Sequence, residues 1–330
     1  MLSTRFFVAT ASVALAAPLA LAQGAEPPAD SGQSGPADAG IARTPPGQTP
    51  RETLWGDWTF TLTVDGSHHL QADLDDEGDL AVSRVASAIG VGGRIGNQVD
   101  AQLTFASEFS FYDFDGATSF DADGDPFDTT YQYDINGFLR GQIDPRWGWF
   151  AGGGVTWAGE AGASASQNLR GRGFGGVTYA VSDNLRVGLG VGAFSRLEDS
   201  TLIVPIPTLR WQIDERSSLA TGGEGGIGGL GVRYTYRPNE QWALFAQGRF
   251  VGREYRLDDD GPIPEGVARD DRIELSVGAN YNATPNLSLN ARVGFDVFSE
   301  IEIDDRSGNQ IAEEDLDPSL VFGLGLRVRF

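Results

Sequence analysis

The chain is 330 residues long, with 46 acidic and 24 basic side chains, a formal charge of −22 at pH 7, and no cysteine. Cysteine's absence excludes disulfides, thiolate metal sites, cysteine nucleophiles and a lipoprotein anchor. The negative balance makes nucleic acid a poor partner, and a hydrophobic share of 40% is too high for a disordered acidic chain.

Residues 1–22 read as a secretory signal peptide: Arg5 supplies the positive start, Phe6 to Leu21 the apolar core, and Ala20-Leu21-Ala22 the small-x-small cleavage site. Residues 23–56 are rich in Pro, Gly, Ala and Ser, lack any apolar period and read as a flexible leader. Downstream no run reaches the ~18 apolar residues of a spanning helix. Residues 57–330 instead alternate.

The alternation has period two, which sorts side chains onto opposite faces of strands. Tyr131, Tyr133, Ile135, Leu139 and Ile143 oppose Gln132, Asp134, Asn136, Arg140 and Gln142. Leu185, Val187, Leu189 and Val191 oppose Arg186, Gly188, Gly190 and Gly192. The last segment sets Leu320, Phe322, Leu324, Leu326, Val328 and Phe330 against Gly323, Gly325, Arg327 and Arg329. Twelve to fourteen such strands fit the sequence; the uncertain ones are the first, and 217–222 with the glycine run that follows. Short turns, such as Asp144-Pro145-Arg146 and Pro238-Asn239-Glu240, alternate with mostly longer, acidic connections at 73–79, 113–128, 197–200, 258–271 and 302–317. An even strand count puts both ends of the sheet on the tight-turn side.

Three features favour an apolar face turned outward to lipid. The polar face carries glycine and charges of both signs. Aromatics such as Trp147, Trp149, Trp157, Tyr234, Tyr236 and Trp242 gather near strand ends, as interfacial girdles do. The chain also ends on a strand with a terminal aromatic, Phe330. With the cleaved leader and the closing Val321-Phe322-Gly323-Leu324-Gly325-Leu326-Arg327-Val328-Arg329-Phe330, residues 57–330 resemble bacterial outer-membrane β-barrel proteins. The stretch Pro207-Thr208-Leu209-Arg210-Trp211-Gln212-Ile213 is similar to uncharacterised barrels of this class. The resemblance implies an all-β, transmembrane, antiparallel up-and-down barrel in the outer membrane of Gram-negative bacteria. It also implies outer-membrane lipid as solvent, and Phe330 as the signal read by the barrel-assembly machinery.

The lumen then holds Arg140, Arg186, Arg233, Arg249, Arg292, Arg327 and Arg329, with Asp100, Glu108, Asp134, Glu274 and Asp296 on the same face. Inward glycine leaves space, so the expectation is a porin-like passive pore for small hydrophilic solutes, partly basic inside and acidic at its external loops. The alternatives are a non-conducting structural or surface-interaction barrel and, further off, a lipid-modifying barrel enzyme. Adjacent His68 and His69 fall on opposite faces, with Ser67 and Asp65 nearby, and Asp113 and Asp115 form an acidic pair. None of these makes a catalytic set, so no enzyme activity and no bound cofactor are expected. Asp121, Asp123, Asp125 and Asp128 are spaced like the start of a calcium loop, but Pro126 stands where that loop needs glycine. Loosely held Ca2+ at an external loop is the most this spacing suggests. Gly188-Leu189-Gly190-Val191-Gly192 has strand parity and no following helix, so it is not a nucleotide motif.

Overall fold

A computed structural model describes residues 58–330 except 97, 121–123 and 222–229. The signal peptide and the leader lie outside the described residues.

Among the described residues fifteen strands follow one another: β1 (Thr59–Asp73), β2 (Asp79–Ile95), β3 (Val99–Asp115), β4 (Thr129–Gln142), β5 (Trp147–Glu160), β6 (Leu169–Ser182), β7 (Leu185–Phe194), β8 (Leu202–Gln212), β9 (Ser217–Thr221), β10 (Gly231–Tyr236), β11 (Trp242–Arg256), β12 (Val267–Thr284), β13 (Leu287–Asp304), β14 (Gln310–Leu316) and β15 (Ser319–Arg329). Each strand up to β13 pairs antiparallel with the next. β14 and β15 both run along β13, against Ser299–Asp304 and Leu287–Asp296 respectively. They are two pieces of one barrel strand, broken at Asp317-Pro318, where proline has no N–H to give the ladder. The barrel therefore has fourteen strands, and β15 closes it against β1 from Thr61↔Arg329 to His69↔Val321. At the seam the Phe330 N–H donates to the Phe60 carbonyl at 2.9 Å, and the Phe60 N–H donates back at 3.3 Å.

Closure follows from the side chains. The outward face is apolar almost without interruption: Leu189 is 60% exposed, Ile203 69% and Leu324 70%. Soluble monomers rarely carry contiguous apolar patches beyond a few hundred Å², and this band surrounds the molecule. In hydrocarbon such a surface is favoured, but no backbone group can be left unpaired there, so a sheet must close on itself. Aromatics mark both edges of the band. At the turn end Trp147 packs against Tyr179 in a tilted pair with ring centroids 4.9 Å apart, and Trp242 against Tyr281 at 4.8 Å. Toward the loop end Tyr133 touches Phe105, Phe109 and Tyr131.

The tight turns are built by side chains that mimic a backbone turn. Asp144 Oδ1 accepts the N–H groups of Arg146 and Trp147 at 2.7 and 2.8 Å. Asp214 does the same for Arg216 and Ser217, and Asn239 for Gln241 and Trp242. These N–H donors hold the carboxyls of Asp144 and Asp214 below their ordinary range.

The long connections differ from expectation in two ways. The acidic stretch 302–317 contains β14, so β13 and β14 extend the wall past the ~9–11 residues that cross a membrane. Several acids assigned to external loops are also buried: Asp270 and Glu314 on the inward face, and Asp271 and Asp304 on the opposite face of the same extension. The other face of the extension sets like charges directly opposite, Glu300 against Asp315 and Glu302 against Glu313.

Partial burial, reinforced by Glu313, Asp315 and Glu302, pushes the Glu300 carboxyl up to about 7. A raised carboxyl favours the folded hairpin while protonated; that stability is present below the ordinary carboxyl range and is lost as pH rises through about 7. Glu300→Gln is therefore expected to slow proteolysis of the 305–309 connection at pH 8 and to leave it nearly unchanged at pH 4. An equal effect at both pH values would contradict this.

Candidate functional site

The interior divides into a loop-end half and a turn-end half. In the loop-end half the inward side chains are buried. Next to the loops lies an apolar core that includes Leu80, Val82, Tyr112, Phe114, Phe120, Phe127, Tyr255, Ile301 and Ile303. Strands β5 and β11, six apart around the ring, touch through a backbone bridge between Gly159 and Arg256.

Below that core a belt of ion pairs crosses the lumen. Arg253 on β11 holds Glu108 on β3 in a two-bonded fork at 2.6 and 3.1 Å. Arg84 on β2 pairs with Asp270 on β12, which also accepts from the Tyr112 hydroxyl at 2.7 Å. Arg272 reaches Asp270 at 2.5 Å and Asp296 at 3.2 Å, and His69 Nδ1 lies 2.5 Å from Asp296. On the other side Arg170 donates to Glu254 at 2.8 Å, and Arg172 to Asp134 at 2.7 Å. Charges taken out of water this far must be paired and hydrogen-bonded; here Arg253 and Glu108 are each nearly inaccessible, with side chains 7% and 5% exposed.

Beside the belt, β4 to β8 fill their part of the lumen with Phe138, Phe150, Phe174, Phe194 and Ile206. This corrects the expectation that inward glycine leaves space. The Phe150 ring lies over Gly176 and Gly190, Phe174 over Gly152, and Phe194 over Gly192. Small and large residues are complementary across neighbouring strands, and the glycines are the sockets.

The turn-end half is different. Its inward side chains remain accessible: those of Arg94 and Arg140 are 37% exposed and that of Asp100 40%. Thr63, Thr178, Arg186, Asn290, Arg327 and Arg329 are half-buried. It is a cup open toward the tight turns and closed above by the belt.

The seven arginines expected in the lumen all lie on the inward face, but in different settings. Arg140 donates to Asp100 at 2.9 Å. Arg249 holds Glu274 at 2.5 Å, and Arg292 holds Asp65 at 3.0 Å. Arg233 lies over the Phe245 ring at 3.8 Å, a cation–π arrangement. Arg186, Arg327 and Arg329 line the cup. Sequence reading missed Arg84, Arg170, Arg172, Arg253 and Arg272, although their strand parity marks them as inward.

The remaining sites are quickly placed. His68 points outward to Ser83 at 2.9 Å, whereas His69 is buried inward. Asp113 and Asp115 lie on the exposed face of β3. Of the calcium candidates, Asp121 and Asp123 fall outside the described residues, and Asp128 accepts the neighbouring Thr129 N–H. No group of three or more potential metal ligands occurs among the described residues.

A family model described as "Domain of unknown function (DUF6268)" matches residues 141–329. A sequence search of curated proteins gives no match. Solved structures with a similar fold include an outer membrane channel from Pseudomonas putida F1, at 11% identity and a TM-score of 0.48, covering 86% of this chain and 100% of the other. A Pseudomonas aeruginosa FadL homologue gives 14% and 0.47, with 82% and 90% covered. The P. putida toluene transporter TodX gives 10% and 0.43, with 83% and 90% covered. These likenesses concern strand arrangement and carry nothing about a solute.

The socket packing has a direct test. A methyl group built on Gly176 would lie 2.5 Å from Phe150 Cζ and 2.6 Å from the Leu189 carbonyl oxygen, so neither can move aside cheaply. Overpacking of this kind costs about 1–3 kcal/mol. Gly176→Val is expected to lower the temperature at which the detergent-folded barrel loses its compact electrophoretic mobility; an unchanged temperature would show that the socket is not filled.

Proposed function

Because the chain belongs to the DUF6268 family, whose name assigns no activity, we propose from the barrel itself that it is an outer-membrane channel shut at rest. The observation that carries this is the Glu108–Arg253 fork, which joins strands six apart around the ring and so spans the lumen. A permanently open passive pore would need the lumen's middle to be water-filled, and the belt and phenylalanine rings occupy that volume. Small hydrophilic solutes then cross only when the belt parts. Buried ion pairs suit such a role, because desolvation cancels much of their attraction and leaves hydrated and paired arrangements close in energy. The exterior band supports residence in lipid.

The apolar core above the belt favours a second reading, a barrel that never conducts and serves structure or surface interaction. Planar-bilayer recording separates the two. Wild-type protein is expected to show rare, brief openings. The double variant Glu108→Ala/Arg253→Ala, which removes the crossing without stranding either charge, is expected to raise open probability at least tenfold. Steady wild-type conductance would remove the shut resting state, and silence in both proteins would favour the non-conducting barrel.

A further inference from the structure

The cup at the turn end is basic in a chain whose net charge is −22. On β15, Arg327 and Arg329 stand two residues apart on the inward face, close enough to repel each other. The register partners of Arg327 are Thr63 on β1 and Ser288 on β13, neutral hydroxyls where a carboxylate would neutralise it. Deeper in, Arg233 feels the charges of Arg249, Arg292 and Arg327 together, and the acids sharing this space are Glu274 and Asp65.

The opposite wall repeats the pattern. Strand β7 is seven strands from β15 in either direction around the ring, and its Arg186 is paired in register with Arg210 of β8 on the same inward face. Like charges set directly opposite destabilise a sheet. Arg186 and Arg327 make no ion pair with any described acid. The belt above shows the contrast, since each of its arginines is bonded to a carboxylate.

We infer that the cup is a binding site for a small polyanion carrying two or more carboxylate or phosphate groups, entered from the tight-turn side and centred on Arg327 and Arg329. Guanidinium groups take such oxygens by paired N–H donation. The Thr63 and Ser288 hydroxyls flanking Arg327 add donors of the right reach. The blind end and the low-dielectric lipid outside the wall concentrate the positive field of the remaining arginines on the same volume. Binding requires no opening of the belt, so the site stands whether or not the barrel conducts.

The test is calorimetric titration of the detergent-folded barrel with citrate and, separately, with pyrophosphate, at fixed ionic strength. Saturable binding of at least one is expected, and which one binds identifies carboxylate or phosphate as the preferred group. Neutral glycerol should give no heat of binding. Arg327→Gln is expected to weaken binding at least tenfold, Arg327→Lys to recover only part of that loss because it restores charge without paired donation, and Arg186→Gln to weaken it two- to threefold through the lost field. Each variant's retained heat-modifiable mobility confirms folding. No saturable binding of either anion, or equal affinity in Arg327→Gln, would overturn the inference.

Discussion

A β-strand's backbone hydrogen bonds cannot be left open in hydrocarbon, and everything else in this molecule follows from meeting that demand. Each strand lends its apolar face to the outside, so its polar face has nowhere to go but the lumen. Fourteen strands enclose more volume than a few side chains can fill. The chain resolves this in two ways within one cylinder. Over the loop-end half it fills the space with paired charges, phenylalanine rings and an apolar core. Over the turn-end half it leaves the inward polar side chains accessible.

Charge is distributed along the same axis. In the belt, arginine and carboxylate alternate and neutralise one another. Toward the loops carboxylates prevail, and β13 and β14 carry acids facing acids. Toward the turns arginine prevails. A global charge of −22 therefore does not describe how charge is sorted along the barrel, which is what the proposed anion site rests on.

Most of the fold was legible because period two is a simple signal that the barrel repeats in strand after strand, broken only at a few bulges such as that between Ile273 and Glu274. The inward arginines were legible for the same reason: parity alone placed Arg186, Arg292 and Arg327 inside. Partners were not, because parity says nothing about which strand lies across the lumen, and Glu108 and Arg253 are 145 positions apart. Strand β14 was missed because Glu313-Glu314-Asp315 next to Pro318 reads as a solvated loop, whereas Glu314 is buried and accepts the Asp76 N–H. The glycines misled most. Phe150 two residues before Gly152, and Phe174 two before Gly176, mark rings and sockets on one face, a pattern that filled volume requires and an open pore does not.

The absence of native cysteine makes single introduced thiols unambiguous reporters of where each face points. The most direct measurement is the reactivity of Leu324→Cys, Thr63→Cys and Ser110→Cys in lipid nanodiscs toward a charged and a lipid-soluble maleimide. The account predicts that the thiol at 324 reacts only with the lipid-soluble reagent, the one at 63 readily with the charged reagent, and the one at 110 with neither. Rapid labelling at 324 by the charged reagent would contradict the outward apolar face, and rapid labelling at 110 would contradict the closed loop-end half.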